Sequence, residues 1–253
     1  MSDFKKHSKM SVPLIVGLIY TAYYYFGVKF LAEQDLLIGL QQVTWDNIGM
    51  KFMIDFSLML LFPVILMLVY GKKLSGLIIR PDHSKLQYVL AGILVVLFLF
   101  HGNYSISGYY AFFFYLVIVS FGEELIFRGY VYSMLKSYNR WFAIIASGLL
   151  WGLPHAILPG LIAGSDLGRI GMDMLSQVGF GIVTGFYFIY LLEKSKSLSV
   201  PILVHTILNY SVGPIGTLTA VGAGFYLFQK DRLDRKNKNY EPDKLDISEI
   251  SNN

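Results

Sequence analysis

Two adjacent carboxylates and an arginine interrupt an apolar, aromatic run in this 253-residue chain: Glu123, Glu124 and Arg128 lie between Tyr109 and Leu135. A run of that length can cross a bilayer, where charges are costly unless they are paired or functional. On an α-helix, residues four apart share a face while neighbours diverge by roughly 100°. Spacing therefore makes Glu124 and Arg128 an ion pair. Glu123 projects elsewhere, with Ser120 and Phe127, and needs a different polar neighbour.

Two further apolar segments offer one. The first contains Trp151-Gly-Leu-Pro-His155, and the second His205-Thr-Ile-Leu-Asn209, whose histidine and asparagine sit one helical turn apart. A lone histidine on an apolar helix serves packing as readily as chemistry, so depth decides. At ~1.5 Å rise per residue, Glu123 lies roughly 20 Å from Lys136, His155 roughly 22 Å from Arg140 and His205 roughly 16 Å from Lys194. Three helices thus carry these groups into one slab of the membrane. Pro154 should bend its helix beside His155 and open room for water or substrate.

A carboxylate beside an imidazole can deprotonate water. An imidazole and an amide one turn apart can donate hydrogen bonds to the oxyanion of a tetrahedral intermediate. The set describes peptide-bond hydrolysis without a covalent nucleophile, and no serine elbow or cysteine competes with it. Glu123, His155 and His205 would also suit zinc, although the HExxH spacing is absent. Three metal ligands would leave no carboxylate as base and no task for Asn209. The expectation is therefore a site with no metal and no cofactor, with zinc as the alternative.

The elements that must position these residues are membrane helices. The chain is 55% hydrophobic and 15% charged, with a mean hydropathy of +0.53, whereas soluble domains carry about 25% charged residues. The expected fold is all-α, a polytopic membrane bundle with apolar segments at 12–31, 50–70, 86–100, 109–133, 141–158, 173–192, 198–211 and 213–229. Lys5, Lys6 and Lys9 before the first segment mimic a signal peptide, but the apolar run is long and no small-residue cleavage site follows, so a retained helix is expected. The net charge of +4 sits at helix ends, and no basic, aromatic-interleaved patch suits nucleic acid. Without cysteine there is no disulfide and no thiolate chemistry.

Basic residues alternate between loops. Lys72, Lys73, Arg80 and Lys85, then Lys136 and Arg140, then Lys194 and Lys196, then Lys230, Arg232, Arg235, Lys236 and Lys238 mark one side together with the N-terminus. The intervening loops are poor in base. The positive-inside rule then places both termini in the cytoplasm of a multi-pass cell-membrane protein. Three regions are expected: N-terminal helices over 1–108, a catalytic core over 109–229, and a polar, disordered tail over 230–253. Trp45 is expected to anchor Leu36–Ile48 at the interface, Gly181 and Gly185 to admit a close helix neighbour, and Asp55 to be a solvated or capping residue. Asp166, Arg169 and Asp173 are expected to be solvated.

In order and on separate helices, Glu123-Glu124-x-x-x-Arg128, an aromatic followed by x-x-x-His155, and His205-x-x-x-Asn209 resemble the three signature motifs of the CAAX protease and bacteriocin-processing family, also called the Abi family. The similarity spans roughly residues 115–215, with Trp151 where the family usually has Phe. The resemblance implies an intramembrane, glutamate-dependent endopeptidase acting on a membrane-associated peptide or protein. It makes Glu123 the base that activates water with help from His155, His205 and Asn209 the oxyanion site, and Glu124, Arg128 and Trp151 structural support. Two other readings are a non-catalytic scaffold or bacteriocin-immunity protein that binds a partner, and a proton-coupled transporter. Retention of every buried polar motif residue argues against the first, and the lack of inverted-repeat symmetry against the second.

Overall fold

The computed structural model describes residues 2–78, 84–211 and 213–239, and those residues form helices and turns without a strand. Eight helical bodies follow one another: α1 (Ser2–Glu33), α2 (48–78), α3 (Ser84–His101), α4 (Ile106–Leu135), α5 (Arg140–Ile162), α6 (Leu167–Ser195), α7 (Ser199–Tyr210) and α8 (Ile215–Asn239). Their order matches the apolar segments of the sequence. Five of them contain a stretch long and apolar enough to cross a membrane, in α1, α2, α4, α5 and α6. Helix α3 is apolar but shorter, and α7 has only 12 residues. Against the expectation of about eight spans, five helices among the described residues meet the length and composition of a membrane crossing.

Hydrophobic residues face outward as well as inward, as a bilayer demands. Leu68 is 81% and Phe100 85% exposed, values that would be costly in water. Inward, the stripe Leu86, Leu90, Leu94 and Leu97 on α3 packs with Val200, Val204 and Ile207 of α7 and with Ala220, Ala223 and Leu227 of α8. A second core gathers the end of α4, from Leu125 to Leu135, against α1, α2 and α5.

Helices α5 and α6 approach closely because their contact is made of glycine. A Cβ on Gly181 would fall 2.5 Å from the Gly148 carbonyl oxygen, and one on Gly152 would fall 2.6 Å from that of Gln177. Gly181 and Gly185 therefore do what the sequence suggested, with Gly148 and Gly152 as their counterparts. This contact carries Trp151 and His155 onto the face of α6.

One end of the bundle collects the basic loops. Arg140, at the start of α5, grips Glu193 near the end of α6 through Nε (3.0 Å) and Nη2 (2.7 Å), and the Tyr132 hydroxyl donates to the same carboxylate. Lys194 pairs with Asp231 of α8 at 2.9 Å, and the Leu198 N–H donates to the Leu77 carbonyl. The opposite end holds the loops poor in base.

Three expectations need correction. Asp55 is neither solvated nor a cap: it is 5% exposed, bonded to Lys51 Nζ at 2.7 Å and to the Tyr110 hydroxyl at 2.7 Å. Four residues separate it from Lys51 along one helix, so the acid neutralises the only lysine of that helix's first turns. Helix α8 runs through 230–239, so the first part of the expected disordered tail is helical, fixed by Lys194–Asp231 and Arg235–Asp231; residues 240–253 lie outside the described residues. Asp166 does more than meet solvent, since its carboxylate caps α6 by accepting from the Arg169 N–H at 2.9 Å. Arg169 and Asp173 form an exposed pair at 3.4 Å, and Trp45 is 79% exposed.

Candidate active site

Helix α4 is not a uniform α-helix. Wide π-type turns run over Phe114–Phe121 and Leu125–Tyr132, with a short α turn, Gly122–Glu124, between them. Such i→i+5 turns are uncommon and gather at functional sites. They also change which residues align. Tyr115, Val119, Glu123 and Phe127, each four apart, all line one cavity. In a pure α-helix such a row drifts around the axis, whereas mixing wide and ordinary turns averages about four residues per turn and keeps it straight. The same change of phase removes Ser120 from the side of Glu123: it is fully buried and does not line the cavity.

The cavity, of about 520 Å³, is lined by Glu123, His155, His205 and Asn209. Four groups singled out by residue type and spacing thus meet in one space, drawn from α4, α5 and α7. Helix α5 tightens to a 3-10 turn over Leu153–Ala156, where Pro154 cannot donate, and resumes at Ile157. This local change sets His155 beside the cavity. Its Nδ1 is 2.8 Å from the Trp151 carbonyl oxygen, a contact that assigns the ring proton to Nδ1 and leaves Nε2 free. Its ring lies 4.1 Å from the Trp151 ring.

Glu123 and Glu124 have different surroundings. Glu124 and Arg128 are fully buried and paired at 3.3 Å, as their spacing requires. The guanidinium also lies between two aromatic faces, 4.9 Å from the Trp151 ring and 5.1 Å from Phe188. Glu124 has a second partner that spacing did not reveal, because His205 Nδ1 is 2.9 Å from its Oε1. Glu123 instead reaches the cavity, where its Oε2 accepts from Trp151 Nε1 at 2.6 Å and lies 3.9 Å from His205 Nε2. Trp151 is therefore more than an aromatic wall: its indole N–H is the polar neighbour that Glu123 lacked.

His205 is 5% exposed and is held from three sides, by Glu124, by Phe188 stacked at 5.1 Å, and by the edge of Trp151. With Nδ1 committed to Glu124, only Nε2 is available to the cavity. Among the described residues, no three His, Cys, Asp or Glu side chains are placed to hold a metal ion together. Tyr20 and Tyr24 of α1 and Met59 of α2 complete the walls. Nothing in the sequence of those helices marked them as part of the site.

No curated protein and no solved structure matches the chain. Residues 83–211, just over half of the chain, match the family described as type II CAAX prenyl endopeptidase Rce1-like. That stretch contains Glu123, Glu124, Arg128, Trp151, His155, His205 and Asn209, while Tyr20, Tyr24 and Met59 fall outside it. The chain belongs to the Rce1-like type II CAAX prenyl endopeptidase family.

Proposed function

We propose that this protein is an intramembrane endopeptidase in which Glu123 activates water for attack on the peptide bond of a membrane-associated peptide or protein. The observation that carries the reading is the separation of the two glutamates. Glu124 is spent on Arg128 and His205, whereas Glu123 faces a cavity that His155, His205 and Asn209 also line. Membership of the family supports the reaction class.

The division of labour follows from the free atoms. Glu123 takes a proton from water as its oxygen bonds to the carbonyl carbon. Trp151 Nε1 fixes one carboxylate oxygen, leaving the other for that proton. His155 Nε2, free of internal partners, bonds to the same water and helps to pass the proton on. The carbonyl oxygen becomes an oxyanion that accepts from a proton on His205 Nε2 and from the Asn209 amide. Because Nδ1 of His205 also donates, to Glu124, this role requires the imidazolium form, beside the carboxylates of Glu123 and Glu124. Collapse breaks the C–N bond, and the proton held by Glu123 passes to the leaving nitrogen. Neither metal nor cofactor takes part in this scheme. A prenylated C-terminus is the substrate suggested by the family description, and a bacteriocin or other peptide leader would fit the same chemistry.

Comparative mass spectrometry of membrane and secreted peptides, with and without active protein, tests this function. A protease creates cleavage products that vanish in its absence. Unchanged cleavage products with altered abundances would point to a scaffold and contradict the proposal.

A further inference from the structure

Helix α1 brings two hydroxyls to the cavity that no other described residue engages. Tyr20 and Tyr24 line it, and neither phenol hydroxyl bonds to a described residue or is fully enclosed. Their neighbour differs, because the Tyr23 hydroxyl donates to the Ser57 carbonyl of α2. A hydroxyl left without a partner in an apolar interior is costly, so Tyr20 and Tyr24 await water or a bound molecule. Both fall outside residues 83–211.

Two observations set their level relative to Glu123. Val12 lines a second cavity together with Ser133 and Met134, near the end of α4, and the Tyr20 ring meets the Phe127 ring at 5.9 Å. Helices α1 and α4 are therefore antiparallel. One turn onward from Tyr20 lies Tyr24, and one turn back from Phe127 lies Glu123, so Tyr24 comes level with the carboxylate. The Glu123 charge reaches both phenols. Across the cavity stand His205 and Asn209, since α1 packs on α2, α4 and α5, whereas α7 packs on α3, α4, α6 and α8. Tyr115 of α4 and Thr184 of α6 also carry hydroxyls into the cavity, but on helices that pack directly against α7.

An extended peptide turns successive carbonyls to opposite sides, and those on one side repeat every two residues, about 6.6–6.8 Å apart. A scissile carbonyl aimed at His205 and Asn209 therefore aims its two neighbours at α1. The Tyr20 and Tyr24 rings are 6.3 Å apart, close to that repeat. Resting on the proposed endopeptidase activity, we infer that Tyr20 and Tyr24 are substrate-binding residues that donate hydrogen bonds to the peptide carbonyls on either side of the scissile one. The pair holds the substrate extended along α1 and turns the scissile carbonyl toward α7. It reads backbone, whatever side chains the substrate carries.

Backbone replacement in a ligand tests this on the full-length protein in detergent. The probe is a fluorescein-labelled, farnesylated peptide, with a companion set in which each peptide bond in turn becomes an uncharged (E)-alkene that lacks the carbonyl acceptor. Fluorescence anisotropy measures binding to Glu123→Gln protein, and cleavage of the parent peptide by unaltered protein locates the scissile bond. At two positions, two residues apart and flanking the scissile carbonyl, the alkene should weaken binding about two- to tenfold more in Glu123→Gln protein than in the matching variant. The matching variant adds Tyr20→Phe for one position and Tyr24→Phe for the other. Both substitutions should leave Tm unchanged, whereas Tyr23→Phe should lower it and keep both positions sensitive. The inference is overturned if no alkene analogue binds more weakly than the parent peptide, if no position loses its sensitivity in Tyr20→Phe or Tyr24→Phe protein, or if the two coupled positions are not two residues apart. A peptide bound with both couplings but never cut would refute the endopeptidase activity and leave this inference standing.

Discussion

His205 Nδ1 lies 2.9 Å from Glu124 Oε1, the carboxylate oxygen that also faces Arg128 at 3.3 Å. The second glutamate thus links a buried cation to the histidine that borders the cavity. It fixes both the orientation of the imidazole and the nitrogen left for chemistry, as a buried carboxylate does for the histidine of a hydrolase triad. Glu124→Gln should keep the shape of the site but weaken its hold on the His205 proton. Turnover should fall by at least about tenfold, since the corresponding amide substitution in a serine-protease triad costs far more. Steady-state kinetics on the purified variant measures this, and unchanged turnover would show that the contact does not matter.

Removing the other partner should affect the fold first. Arg128→Ala leaves Glu124 buried without its cation, at a cost of about 3–5 kcal/mol. Thermal unfolding in detergent should show a large fall in Tm and reduced abundance. Arg128→Lys should recover only part of it, because a compact ammonium cannot stack between Trp151 and Phe188 as the planar guanidinium does.

Trp151→Phe isolates the indole N–H. The ring contact with His155 survives in part, while the 2.6 Å hydrogen bond to Glu123 is lost. Hydrogen bonds to charged groups contribute about 1.5–3 kcal/mol, so a rate loss of roughly 10- to 100-fold is expected with little change in Tm. Activity equal to wild type would mean that Glu123 is positioned by other contacts.

The close contact of α5 and α6 should tolerate no side chain. A methyl group at Gly181 meets the Gly148 carbonyl oxygen at 2.5 Å, backbone that cannot swing aside. Gly181→Ala should destabilise the protein by about 1–3 kcal/mol, as overpacking does, and lower activity by displacing Trp151 and His155. Thermal unfolding and turnover measured together check it. By contrast, Gly222→Ala meets nothing within 4 Å and should leave both unchanged.

Much of the candidate site is legible in the sequence because membrane helices obey few rules. Charges in an apolar run must be paired or used, and spacing by four named Glu124 and Arg128 as the pair. Depth along three helices is enough to bring Glu123, His155, His205 and Asn209 to one level. What stayed hidden depends on contacts between helices. The bond from Trp151 to Glu123 spans 28 positions in sequence and the one from His205 to Glu124 spans 81, and no periodicity encodes either. The π-type turns of α4 defeated the placement of Ser120, since angular phase was reckoned at 3.6 residues per turn. Asp55 departs from expectation because a position near a helix end suggests solvent, whereas Lys51 and Tyr110 enclose it. Tyr20 and Tyr24 carried no motif, and only the packing of α1 makes them walls.

The proposed metal-free mechanism also makes a prediction. Purified protein should keep its activity in strong chelator and contain no stoichiometric metal by elemental analysis. Activity that chelator removes and zinc restores would move Glu123 and both histidines into a metal's coordination sphere and reassign the water-activating step.

The most direct test of the account is the turnover of purified Glu123→Gln protein against wild type on the same peptide. Loss of a general base typically costs about 10²–10⁴ in rate, while the amide can still accept from Trp151 Nε1 and preserve the fold. The account predicts a loss in that range with Tm nearly unchanged. A folded Glu123→Gln protein that cleaves at close to the wild-type rate would contradict it.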